Sequence, residues 1–129
     1  MKYLLLVHHN ETQFNTLPEE KRSAMLAESI QLCHQLDANG QYIHASPLQP
    51  EATAALVRMR DGTAIVTDGP FVETKEQLAG YFLLDVQNQE DAVHIAKQVP
   101  GARIGTVEVR PLREISGLPG EACNDRVAE

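Results

Sequence analysis

Apolar residues recur along this chain with two different periods, and the changes of period set out the order of its elements. Residues Lys2 to Val7 contain the near-continuous run YLLLV, which reads as a strand buried on both faces. From about Leu17 to Asn39 the spacing becomes three to four. Met25, Leu26, Ile30, Cys33 and Leu36 form one stripe there, Thr16 and Glu19 have the spacing of a capping box, and Gly40 supplies a stop. This predicts one long amphipathic helix. The segments QYIHASPLQ, TAALVRMR and TAIVT follow as short strands, with Asp61-Gly62 as a hairpin turn between the last two. GYFLLDV is a second strongly apolar strand. A second helix is expected from about Gln89 to Val99, capped by Asn88, with Ala92, Ile95, Ala96 and Val99 buried and Pro100-Gly101 at its end. ARIGTVEVRPL is the last strand, where Gly105, Val107 and Val109 alternate with Thr106, Glu108 and Arg110.

The order is strand, helix, strand with an inserted hairpin, strand, helix, strand, which is the split βαβ, ferredoxin-like α+β pattern. Two helices cover one face of such a sheet. The strands from Leu4 to Val7 and from Tyr81 to Val86 are apolar on both parities, so the other face needs a cover as well. With no third long helix, the simplest cover is a second copy of the same sheet. A homodimer packed sheet face to sheet face, a dimeric α+β barrel, is the expectation. The domain is expected to span residues 1–115, and residues 116–129, which show no period, to form a mobile tail.

Composition narrows the function. A chain of 129 residues with 43% apolar content suits one domain with a real core. Eleven basic against eighteen acidic side chains give a net charge of −7, which argues against direct nucleic-acid binding. The run Tyr3 to Val7 is shorter than a signal-peptide core or a bilayer span, so a cytoplasmic protein without membrane association is expected. Cys33 and Cys123 make neither a disulfide framework nor a zinc pattern: Cys33 reads as core, and Cys123 lies in the polar tail. His34, His44 and His94 lack partners at ligand spacing. No metal site is expected, and no phosphate-cradling loop or cofactor motif is present.

The connection TDGPFVETKEQLAG concentrates the chemistry. Asp68 precedes Gly69-Pro70 and reads either as a turn-forming aspartate or, if buried beside Phe71, as a carboxylate suited to general acid or base work. Thr74 and Gln77 repeat the capping-box spacing, so TKEQLAG reads as a single helical turn stopped by Gly80, while Glu73 precedes that turn and can reach back towards Asp68. Strand parity assigns Phe82, Leu84 and Val86 to the helices. Tyr81, Leu83 and Asp85 then face the other side with the polar set of the last strand. A sheet-to-sheet cavity lined by Tyr81, Glu108 and Arg110, with Phe71 and Glu73 as further candidate ligand contacts, suits a small polar-aromatic molecule. Interface salt bridges are the alternative for the same residues. His8 and His9 point to opposite faces, and parity does not say which enters the cleft; His9 is carried as the candidate catalytic partner of Asp68.

DGPFVETKEQLAG, with KYLLLV, TAALVRMRDG and GTVEVRPL in the right strand order, resembles the DGPF family within the YCII-related proteins over roughly residues 1 to 113. The resemblance implies a dimeric α+β barrel, no established reaction, and a bacterial protein that works beside an extracytoplasmic-function sigma factor. The broader YCII group is thought to use a His-Asp pair whose histidine sits on the first long helix. Alignment through ANGQYI puts that position near Ser29, where this chain departs from the pattern, whereas Asp68 matches the motif aspartate. Two function classes follow. One is a small-molecule-binding or regulatory protein; the other is a cofactor-independent enzyme acting on a small carbonyl or aromatic metabolite through Asp68, with a histidine or Tyr81 assisting.

Overall fold

The computed structural model describes residues 1–71 and 73–120. Strand β1 (Lys2–His9) leads through a short helix α1 (Glu11–Asn15) to the long helix α2 (Glu19–Ala38), then to β2 (Tyr42–Pro47). A hairpin of β3 (Ala55–Arg60) and β4 (Thr63–Asp68) is followed by β5 (Gln77–Asp85), helix α3 (Gln89–Ala96) and β6 (Thr106–Pro111). The four long-range strands form one antiparallel sheet in the order β2-β5-β1-β6, with β3 and β4 as a separate two-stranded ribbon. This is the ferredoxin-like arrangement expected from the sequence. Among the described residues, no helix is long and apolar enough to cross a membrane.

Parity on the two central strands sets the core. Tyr3, Leu5 and Val7 of β1 and Phe82 and Leu84 of β5 point to the helices, with Val86 just beyond the strand, and Leu5 and Leu84 are fully buried. They meet Leu32 and Leu36 of α2 and Ala92, Ile95 and Ala96 of α3. The alternate residues Leu4, Leu6, Tyr81 and Leu83 lie on the opposite face, which no helix among the described residues covers, and are half-buried.

Two local readings are corrected. Thr16 caps no helix start: it closes α1, its hydroxyl donating to the Gln13 carbonyl at 2.6 Å, while α2 begins after Pro18 with no side-chain cap. The first helix of the pair starts at Asn10, whose side-chain oxygen accepts from the Gln13 N–H at 2.9 Å. The stripe of α2 is also rotated from the expected one. Leu32 and Leu36 are its buried residues, whereas Leu26 and Ile30 are about half exposed (51% and 50%) because they flank a gap between helix and sheet rather than the core.

The C-terminus of α2 follows the sequence. Gly40, at φ 72°, donates to the Asp37 carbonyl, and Gln41 N–H donates to the Leu36 carbonyl, satisfying the open end of the helix. Asp61 and Gly62 both have positive φ (50° and 76°), the turn that matches the twist of a two-residue hairpin. Asn88 caps α3 by accepting from the Asp91 N–H at 2.9 Å. Residues 116–120 are exposed and carry no regular structure. The rest of the expected tail, with Cys123, lies outside the described residues.

Candidate cleft between helix α2 and the sheet

The rotation of α2 leaves a cleft of about 220 Å³ between its N-terminal half and the sheet. Its walls are largely apolar, from Val7, Met25, Ile30, Phe82, Val99 and Pro100. Among the described residues, those with polar side chains that line it are His9, Arg22, Ser29, Cys33, Ser46 and Tyr81.

The end of β1 and the start of α1 build one wall. The His9 ring stacks on Phe14 with centroids 4.4 Å apart and planes 15° from parallel. Burial lowers the His9 pKa below 6.5, against the opposing pull of the Glu11 and Glu76 charges. The neutral imidazole is thereby favoured, with one nitrogen able to donate and the other to accept. Burial likewise raises the pKa of Cys33, which keeps its sulfur a poor nucleophile.

The loop after Phe71 is fastened to this wall, and not as a helical turn. Gln77 to Gly80 belong to β5, pairing with β1 across an irregularity after Val7. The Thr74 and Gln77 side chains make local loop bonds instead: Thr74 Oγ1 donates to the Glu76 carbonyl, and Gln77 Nε2 donates to the Thr74 carbonyl at 2.6 Å. Gln77 Oε1 also accepts from the Glu11 N–H at 2.9 Å, and Asn10 Nδ2 donates to the Lys75 carbonyl at 3.0 Å. The capping-box spacing is thus used, but strand pairing with β1 takes the backbone.

On the other side of the cleft, Arg103 reaches from the turn after α3 to Glu28 of α2 through two hydrogen bonds of 2.9 and 2.8 Å. The hydrogen bond from Arg103 holds Glu28 below the usual carboxylate range. A bidentate pair of this kind fixes geometry more than it stabilises at an exposed surface.

The other candidate residues fall into two places. Asp68 ends β4 on the ribbon, exposed, and Gly69 beyond it takes φ 98° while its N–H donates to the Ala54 carbonyl at 2.9 Å. Phe71 is 70% exposed with the Arg58 guanidinium 5.9 Å above its ring, and Glu73 is exposed. Among the described residues, no ion pair joins Asp68 to Glu73.

Tyr81, Glu108 and Arg110 do share the uncovered face of the sheet. Tyr81 and Glu108 are both cross-strand partners of Leu6, on opposite sides, so two strand spacings of about 10 Å separate them. Tyr81 Oη meets His44 Nδ1 at 2.7 Å, and Glu108 Oε1 meets His8 Nε2 at 3.2 Å. Arg110 Nε donates to Glu108 at 2.9 Å. The Arg110 bond, and then that of His8, hold the Glu108 carboxyl below the usual range. Parity therefore separates the adjacent histidines, His8 to this face and His9 to the cleft.

Arg22 and Phe14 are residues that the sequence did not single out, and His44, which lacks a partner at ligand spacing, meets Tyr81 instead. For Arg22 a signal exists: positions 22, 25, 29, 32, 33 and 36 follow helical spacing and are the α2 residues that are not exposed, a stripe that appears once a polar residue is allowed in it.

Among known proteins, a protein of Rhizobium meliloti (strain 1021) described as "Uncharacterized protein R00369" is 32% identical over 114 residues, covering 87% of this chain and 92% of the relative. Residues 1–116 match the family described as the YCII-related domain. With that match spanning every element of the sheet and both of its long helices, the chain belongs to the YCII-related family.

Proposed function

We propose that this YCII-related protein is a homodimer that binds a small molecule in the cleft under α2. The observation that carries the binding reading is the cleft itself: an apolar cavity with a few converging polar groups, made by residues from β1, α1, α2, β2, β5 and the turn after α3. Within one chain Asp68 is not among the residues lining it, which favours a binding or regulatory role over catalysis by Asp68. A ligand-responsive partner of an extracytoplasmic-function sigma factor is the corresponding cellular role.

Two surfaces support the dimer. The uncovered sheet face places Leu4, Leu6 and Leu83 between the Tyr81-His44 and Glu108-Arg110 pairs, an apolar centre with a polar rim. The β3-β4 ribbon carries Val57, Met59 and Val66 on one face, 66%, 58% and 63% exposed. An isolated two-stranded ribbon is marginal in water, so a second copy is the cover that both surfaces call for. Asp68 lies on the same face of the ribbon as Val57 and Val66, by its pairing with Ala55. The enzymatic alternative accordingly needs the second copy to bring the Asp68 carboxylate to a cleft.

Sedimentation equilibrium at micromolar concentration tests the dimer; a monomer with an intact fold overturns it. An NMR screen of mixed small molecules, repeated on Ser29→Phe, tests the cleft. Hits that persist when the phenyl group fills the cavity place binding elsewhere and overturn the reading.

A further inference from the structure

We infer that the cleft under α2 selects small monocarboxylates, the carboxylate bound by Arg22 and an apolar body of single-ring size lodged against Met25, Ile30 and Phe82. This rests on the cleft being the binding site and goes on to name the ligand class. Among the described residues, Arg22 is the one basic side chain of the lining besides His9, and no aspartate or glutamate lines the cleft. Its Nε is shut off from solvent and has no hydrogen-bond partner among the described residues. Among the described residues Arg22 also forms no ion pair.

A guanidinium N–H removed from water and left unmatched is strongly unfavourable, and an acceptor brought by a ligand removes that penalty. The planar fork of the guanidinium matches a carboxylate in two parallel hydrogen bonds. A single cation in apolar walls favours a monoanion over a doubly charged phosphate, whose second charge would be left uncompensated in a low-dielectric site. The cleft volume of about 220 Å³ falls below the span of roughly 300 to 1,000 Å³ usual for drug-sized ligands, which limits the apolar body to about one ring or a short chain. The protein as a whole carries −7 charges, so this cleft is a local exception to a field that otherwise repels anions.

The test is isothermal titration calorimetry of the full chain with benzoate and phenylacetate, against benzamide and phenylacetamide as neutral counterparts of nearly the same shape. The wild type is expected to bind the acids at least tenfold more tightly than the amides. Arg22→Gln is expected to bring the acids down to the amides while leaving the amides unchanged, and Arg22→Lys, which keeps the charge without the fork, to restore part of the preference. Melting curves of both variants confirm that they fold. Equal binding of acids and amides by the wild type overturns this inference and leaves the cleft reading intact, and so does an acid preference that survives in Arg22→Gln. Absence of binding by all four probes overturns the inference. Binding that persists in Ser29→Phe overturns the cleft reading beneath it.

Discussion

The imidazole of His9 lies almost flat on the ring of Phe14, 4.4 Å between centroids, so the last residue of β1 and the middle of α1 hold one another at the mouth of the cleft. Burial there lowers the affinity of His9 for a proton, the Glu11 and Glu76 charges only partly opposing it. In the unfolded chain the residue titrates near 6.5, and in the folded chain at a lower pH. Between the two values the unfolded state holds more protons, so stability rises with pH over that interval and is complete above about 6.5. Acidification from pH 7 is expected to destabilise the wild type more steeply than His9→Gln across that window. Urea midpoints measured at several pH values decide it, and parallel pH profiles for the two proteins would remove the desolvated histidine.

Gly105 sits where β6 meets β1. A Cβ at this position would lie 2.0 Å from the His8 carbonyl oxygen, a backbone atom that cannot swing aside. Gly105→Ala is expected to destabilise by about 1–3 kcal/mol, the range of overpacked interiors. Denaturant unfolding measures it. A neutral substitution would mean that β6 shifts freely along β1.

Leu83 and Leu84 are neighbours on β5 and face opposite ways. Leu84→Ala opens a cavity in a fully buried position and is expected to lose about 2–5 kcal/mol at any protein concentration. Leu83→Asp, on the uncovered face, is expected to act through association: its melting temperature should lose the concentration dependence that a dimer confers. A melting temperature of the wild type that does not change with dilution would contradict the shared face.

Asp68→Asn keeps an acceptor in the turn and removes a charge from an exposed position. Its effect on stability is expected to stay within about 0.5 kcal/mol, and ligand titrations of the cleft should be unchanged. Lost ligand response with an intact melting curve would instead return function to the Asp68 carboxylate.

What the sequence made legible is what depends on local period and turn chemistry. The strand order, the Asp61-Gly62 turn, the Gly40 stop and the inward set of Phe82, Leu84 and Val86 all follow from residues read within their own segments. The cleft does not, because Arg22, His9 and Phe82 come from separate elements and meet only through the way α2 lies on the sheet. Leu26 and Ile30 misled for a related reason: apolar residues at the edge of a cavity have the same spacing as apolar residues in a core. Thr16 and Gln77 show the remaining limit. Short polar side chains satisfy whichever backbone groups lie nearby, so the same spacing serves a helix end in one place and a loop bond in another.

The separateness of the β3-β4 ribbon also divides the molecule in time. Among the described residues its strands pair only with each other, whereas β1 is bonded on both sides by β5 and β6. Amide hydrogens of the central strands therefore exchange with solvent only through opening of the whole domain, while those of the ribbon have a route of their own through local fraying. Dissociation of the proposed dimer would leave the ribbon as the fast-exchanging segment. Any slowing there with rising concentration or added ligand is a direct readout of contact at the exposed Val57, Met59 and Val66 face.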